Sequence, residues 1–145
     1  MYEHFGQYIA GEWRAASDGG RAPVLSPVTE KVIGEPPVAT LADTQDALAS
    51  AAEGLAAWRA KSGFERADAL HIVANAMIAR KIAAIRMIST ETGKPVAQSE
   101  REWGLAVDQF RWDAEEARRL YGRVLESRVP GGRFEVLREP LGIAA

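Results

Sequence analysis

The sequence predicts long helices that pack between two layers of structure, only one of which this chain supplies. Apolar residues after Pro95 recur at alternating steps of four and three, which places them on one side of an α-helix. These residues are Trp103, Val107, Phe110, Ala114, Ala117 and Tyr121. Leu105 and Trp112 lie on the opposite side, so we expect this helix to be covered on two sides. The final run, 140–145, is typical of a strand buried on both faces in a parallel sheet.

Residue types at the helix ends define three predicted helices, at about 41–61, 64–92 and 95–121. The first two follow capping boxes, in which a hydroxyl and a carboxylate three residues later satisfy free N–H groups; these are Thr40 with Asp43 and Ser62 with Glu65. Gly93 is predicted to end the second helix. Pro95 is placed at the first helical position of the third helix, and Gly122 follows its end. Residues 64–92 contain no Gly or Pro that would mark a break, and the sequence is compatible with one long helix or with two shorter ones.

Short strands flank the helices. A hairpin is predicted over 7–14, and extended segments over 24–28 and 31–35. Residues 123–139 alternate in two runs around Pro130-Gly131-Gly132, which predicts a second hairpin. An isolated hairpin is marginally stable in water, so we expect it to lie against other structure. Because a buried strand is an unusual place for a natural terminus, we also expect the sequence to be part of a longer protein.

Composition narrows the class of protein. A chain of 145 residues is the size of one domain, and a net charge of −2 gives no reason to expect nucleic acid as a partner. No apolar run approaches 18 residues, and the N-terminus lacks the pattern of a signal peptide. There is no cysteine, which excludes thiolate catalysis, thiolate metal sites and disulfides within this chain. We therefore predict a cytoplasmic protein that binds no membrane.

Few residues suggest chemistry. Lys94 follows a glycine but does not complete a phosphate-binding loop, and no Gly-x-Gly-x-x-Gly occurs. His4 and His71 fit surface or satisfied histidines better than catalytic ones. Glu102, beside Trp103, is either a paired surface carboxylate or a half-buried site residue. Glu91 either caps a nearby N–H or Lys94, or helps to hold a cation together with backbone carbonyls.

Several short motifs occur in order along the chain, at residues 8–13, 26–33, 57–59, 65–66, 91–95, 111–122 and 138–144. Taken together, they resemble the N-terminal third of the NAD(P)-dependent aldehyde dehydrogenase superfamily. The sequence of the last long helix is most similar to the succinate-semialdehyde and related branches.

The resemblance implies an α/β dinucleotide-binding fold whose parallel sheet is mostly absent from this chain. Residues 1–122 would be the first part of the cofactor-binding domain, 123–139 a hairpin of the oligomerisation arm, and 140–145 the start of the first buried strand. The implied protein is a homo-oligomer that uses NAD or NADP and acts on a small aldehyde.

The family mechanism uses a cysteine nucleophile, an asparagine and a general-base glutamate, and none of these can be assigned here. The resemblance therefore implies a fragment that is inactive alone, with no catalytic or cofactor-binding residue. It places Glu102 and Ala106 at the substrate entrance, and Glu91 with the Leu25 carbonyl at a structural monovalent-cation site. The alternative is a non-catalytic interaction module that complements a separate chain.

Overall fold

The computed structural model describes residues 5–144, which form four helices and three two-stranded antiparallel sheets. His4 and Ala145 lie outside the described residues. The strands are β1 (Gln7–Ile9), β2 (Glu12–Arg14), β3 (Val24–Leu25), β4 (Val32–Gly34), β5 (Arg123–Glu126) and β6 (Arg133–Val136). The helices are α1 (Leu41–Ala60), α2 (Gly63–Ala79), α3 (Lys81–Thr92) and α4 (Val96–Ala117). None of the helices described has the length and apolar character needed to cross a membrane.

Both predicted capping boxes are confirmed. The Thr40 hydroxyl accepts from the Asp43 N–H at 3.2 Å, and the Asp43 carboxylate accepts from the Thr40 N–H at 2.9 Å. The corresponding distances between Ser62 and Glu65 are 3.2 and 2.7 Å. The N–H groups that each helix leaves unpaired at its start are therefore partly satisfied by local side chains, which fixes where α1 and α2 begin.

The run predicted over 64–92 consists of two helices that meet at Arg80. The backbone of Arg80 has φ −98° and ψ 8°, outside the regular helical region. Its N–H is shared between the carbonyls of Ala76 and Met77, at 3.3 and 3.1 Å. Gly93 ends α3 as predicted, with a left-handed φ of 72° that costs glycine no steric strain.

The predicted bounds of the last helix, 95–121, were wrong by one residue at its start and four at its end. Pro95 has ψ 143° and precedes the first helical residue, Val96. The helix stops at Ala117 because the chain tightens into a turn, in which the Arg119 N–H donates to the Glu116 carbonyl at 2.8 Å. Tyr121 therefore leaves the apolar side of the helix and is 70% exposed.

The core lies between α4 and the pair α2 and α3. Val107 and Ala114 of α4 are buried, and they belong to the predicted apolar side. Buried residues on the facing helices are Ala67 and Ala74 of α2 and Ile85 of α3. The opposite side of α4 is open: Leu105 is 60% and Trp112 66% exposed, so residues 5–144 do not supply the expected second layer.

The three sheets are separate hairpin-like pairs. β1 and β2 pair across a turn in which Ala10 and Gly11 both have positive φ, as the predicted hairpin over 7–14 requires. The extended segment predicted over 24–28 is a strand only at Val24–Leu25, since Pro27 lies in the turn towards β4. β5 and β6 pair from Arg123 with Val136 to Glu126 with Arg133, which confirms the second hairpin.

The strand predicted at 140–145 is not formed in its described part. Residues 140–144 have no strand structure, and Leu141 is fully exposed. A strand exists only through hydrogen bonds to a neighbouring strand, and no described strand pairs with this segment. The apolar sequence therefore did not predict the conformation that this segment has in this chain.

Candidate functional site

Residues 91–95, at the junction of α3 and α4, include Glu91 and lie close to the loop that follows Leu25. A Cβ built on Gly93 would lie 2.9 Å from Pro27 Cγ and 3.3 Å from Val28 Cγ2. The Ser89 hydroxyl donates to the Lys94 carbonyl at 2.8 Å. The turn is thus held both to the end of α3 and to the loop after β3.

Lys94 also ties the turn to α4. Its ammonium group donates to Glu102 Oε2 at 2.5 Å, and the two side chains are 33% and 56% exposed. The half-buried placement considered for Glu102 is therefore wrong; its carboxylate lies at the surface beside a half-buried Trp103. Glu102 is thus a paired surface carboxylate, and its partner lies eight residues away in the chain.

Ala106 lies one helical turn after Glu102 and is half-buried. Residues four apart occupy the same side of a helix, so the two predicted entrance residues share one side of α4. Val107, the next residue, is buried against the neighbouring helices. Glu102 and Ala106 therefore border the packed side of α4 without being part of its core.

The two predicted cation ligands belong to segments that meet at Gly93. Leu25 ends β3, two residues before Pro27, and its side chain is about half exposed. Glu91 lies in the last turn of α3, and its carboxylate has no hydrogen-bond or ion-pair partner among residues 5–144. Within the same residues, no three His, Asp or Glu side chains gather as a metal-binding group.

Ion pairs join different helices. His71 of α2 contacts Glu115 at 3.2 Å, so it is a satisfied helical histidine. Lys81 of α3 contacts Glu100 at 2.6 Å, and this hydrogen bond and charge lower the pKa of the Glu100 carboxyl. Partners from different helices carry no spacing signal, because their proximity depends on tertiary packing.

Ion pairs also form at the C-terminal end of α4. Arg119 contacts Glu116, three residues earlier, at 2.7 Å, and the hydrogen bond from this guanidinium raises the pKa of Arg119. Glu115 precedes Arg119 by four residues, a spacing that favours an ion pair on a helix. In the structure it contacts Arg118 instead, at 3.9 Å, and its other carboxylate oxygen contacts His71.

Asp43 joins the N-terminal segments to α1, a role that its capping position alone does not reveal. Besides Thr40, its Oδ2 accepts from the Ser17 N–H at 3.1 Å, the Ser17 hydroxyl at 3.3 Å and Gln7 Nε2 at 3.3 Å. The residue is only 3% exposed. Backbone hydrogen bonds from Thr40 and then Ser17 hold the pKa of the Asp43 carboxyl well below its usual range.

Comparison with known proteins identifies the family. The model of the aldehyde dehydrogenase family matches residues 13–145, which is most of the chain. The chain belongs to the aldehyde dehydrogenase family. It corresponds to the N-terminal part of the relatives that it matches.

Similar proteins include several semialdehyde dehydrogenases. Glutarate-semialdehyde dehydrogenase of Pseudomonas putida is 37% identical over 138 residues, which cover 95% of this chain and 29% of the relative. Succinate-semialdehyde dehydrogenase [NADP(+)] of Escherichia coli is 32% identical, with coverage of 94% and 28%. The crystal structure of succinate-semialdehyde dehydrogenase from Burkholderia pseudomallei has a TM-score of 0.89 at 33% identity, covering 95% and 29%. The chain thus spans less than a third of the length of these relatives.

Residues 5–144 lack two features that oxidation of an aldehyde with a dinucleotide would need: a nucleophilic thiol and a dinucleotide-binding unit. The chain contains no cysteine, so it has no thiol to attack an aldehyde. Its described strands form antiparallel pairs only, and no parallel strand leads through a glycine-rich turn into a helix. The described residues therefore do not fit a dinucleotide on their own, and we assign none of them to a cofactor.

Proposed function

We propose that these residues are the N-terminal part of an NAD(P)-dependent aldehyde dehydrogenase. Such an enzyme oxidises an aldehyde to a carboxylic acid, with water as the source of the added oxygen, while NAD⁺ or NADP⁺ is reduced and a proton is released. The chief support is the similarity to the Burkholderia pseudomallei enzyme, with a TM-score of 0.89 over 95% of the chain. The uncovered side of α4, with Leu105 and Trp112 exposed, agrees with packing against further structure. Residues 1–145 alone are not expected to catalyse the reaction.

The substrate class that we propose is a short aldehyde with a carboxylate at its other end. The relatives from Pseudomonas putida and Escherichia coli are named for glutarate semialdehyde and succinate semialdehyde. The name of the Escherichia coli relative also includes NADP(+). Both NAD and NADP remain candidate cofactors for the complete enzyme.

Within this chain, we assign Glu102 and Ala106 to the wall of the substrate entrance. Their common side on α4 and their incomplete burial support this assignment. We assign Glu91 and the Leu25 carbonyl to a structural monovalent-cation site. Two observations support that site: no described residue pairs with the Glu91 carboxylate, and Gly93 contacts Pro27. The exposed β5–β6 hairpin is proposed to contribute to a homo-oligomer interface.

The test is an assay of the protein produced from the complete reading frame that contains these residues. Succinic semialdehyde and glutaric semialdehyde are each offered with NAD⁺ and NADP⁺, and formation of the reduced cofactor is followed by absorbance. We expect turnover with at least one combination and none with purified residues 1–145. Turnover by residues 1–145 alone, or its absence from the complete protein with every combination, would contradict the proposal.

A further inference from the structure

The ion pair between Lys94 and Glu102 has a consequence for the charge at the proposed substrate entrance. A carboxylate at that position repels a substrate whose far end is also a carboxylate. In the structure, the Lys94 ammonium contacts the Glu102 carboxylate at 2.5 Å, so the two charges nearly cancel for a third group that approaches them. An entrance with this pair is close to neutral, whereas Glu102 alone would make it anionic.

The position of Lys94 is fixed by more than this contact. The Ser89 hydroxyl holds the Lys94 carbonyl at 2.8 Å, and Gly93 packs against Pro27 in a conformation that glycine favours. The Lys94 side chain is the less exposed of the pair, at 33%. Because the backbone beneath it is held on both sides, the ammonium loses less freedom on pairing than one on a mobile loop would lose.

We propose that Lys94 is a specificity-determining residue: by neutralising Glu102, it permits aldehydes with an anionic far end to enter. This inference rests on the proposed function, because it takes Glu102 to be part of the substrate entrance. The role is electrostatic and acts on substrate charge. It differs from a purely structural role, which would affect charged and uncharged aldehydes equally.

The chain offers a matched control on the same helix. Lys81 and Glu100 form a second lysine–glutamate pair, at 2.6 Å, that also links α4 to the segment before it. Glu100 and Glu102 are two residues apart, and two residues correspond to about 200° of rotation around a helix. The Lys81 pair therefore lies on nearly the opposite side of α4 from the proposed entrance.

The experiment uses the complete protein and compares kcat/KM for succinic semialdehyde with kcat/KM for butanal, an uncharged aldehyde of the same length. For Lys94→Gln, we expect the ratio of the two values to fall about threefold to fivefold, the size of one exposed charge interaction. The decrease should come mainly from a higher KM for the semialdehyde. It should shrink in about 1 M salt, where charges are screened within about 3 Å.

Three further variants decide between charge and structure. Lys94→Arg keeps the positive charge and should retain the ratio, and Lys81→Gln should leave the ratio unchanged. The double change Lys94→Gln with Glu102→Gln removes both charges and should restore the ratio. An unchanged ratio in Lys94→Gln, or a double variant that remains as low as Lys94→Gln, overturns this inference while the proposed function stands. A wild-type protein that oxidises neither aldehyde overturns both.

Discussion

The indole of Trp103 donates a hydrogen bond from Nε1 to the main-chain carbonyl of Met77 at 3.1 Å, which joins α4 to α2. Met77 lies in the last turn of α2, and its carbonyl also accepts from the Arg80 N–H at 3.1 Å. The indole is therefore a second donor to this carbonyl, and it ties the end of α2 to the half-buried Trp103 of α4. Trp112, nine residues later on α4, is exposed.

Trp103→Phe keeps an aromatic ring in place but removes the Nε1 donor. This loss should destabilise the chain. We expect the free energy of unfolding to fall by about 1 kcal/mol, the net contribution of one hydrogen bond, because the Met77 carbonyl keeps its bond from the Arg80 N–H. Urea unfolding followed by circular dichroism measures the change. Trp112→Phe is the matched control and should change stability by less than about 0.5 kcal/mol. Equal losses in the two variants would show that the hydrogen bond contributes nothing specific.

Local sequence signals predicted much of the helical part of the fold. Capping residues, periodic apolar positions and Gly93 act over three or four residues, so they can be recognised without knowing the tertiary structure. The break at Arg80 has no such signal, because residues 64–92 contain no Gly or Pro. The early end of α4 likewise has none: the chain turns there with the Arg119 N–H bonded to the Glu116 carbonyl.

The candidate site was less predictable because its contacts join distant parts of the chain. Gly93 was predicted only as a helix end, but its contact with Pro27 joins the end of α3 to the loop after β3. Asp43 was predicted as a cap, but Ser17 and Gln7 reach it from 26 and 36 residues away. Sequence periodicity identified the side of α4 that is buried. It could not show that Glu102 pairs with Lys94.

Gly93→Ala should destabilise the chain by about 1–2 kcal/mol or more. The left-handed backbone, with φ 72°, costs an L-residue about this much, and the new methyl group would also press against Pro27. Gly104→Ala is a control of opposite sign: this glycine lies inside α4, and an added Cβ meets nothing within 4 Å. It should stabilise the chain by about 0.5–1 kcal/mol. Thermal unfolding of both variants tests the pair, and two changes of the same sign would contradict the assignment.

Asp43→Asn should make stability less dependent on acidic pH. A carboxyl whose pKa is lowered in the folded state stabilises it above the unfolded-state pKa, about 3.9, and loses this contribution as pH falls through the folded-state value. The wild type should therefore be more stable than Asp43→Asn at pH 7. The difference should narrow progressively below about pH 4.

The measurement for Asp43 is a series of urea unfolding curves between neutral pH and about pH 2. Asp46→Asn is the control on the same helix, because Asp46 is exposed and, among residues 5–144, pairs only with Arg14, at 3.0 Å. That exposed pair should contribute less than about 1 kcal/mol. A stability difference between wild type and Asp43→Asn that stays constant at every pH would show that hydrogen-bond geometry, and not ionisation, stabilises this position.

Trp112→Lys should reduce self-association of purified residues 1–145. Leu105 and Trp112 form an exposed apolar patch on one side of α4, and such patches promote association when nothing covers them. A lysine at this position would also lie one helical turn from Asp108 and from Glu116, which favours the helix. Static light scattering over a concentration series measures the effect.

Gln98→Lys, at an exposed polar position of the same helix, makes the same charge change and should leave association as it is in the wild type. If both lysine variants reduce scattering equally, net charge explains the effect, and if neither does, association occurs through another surface.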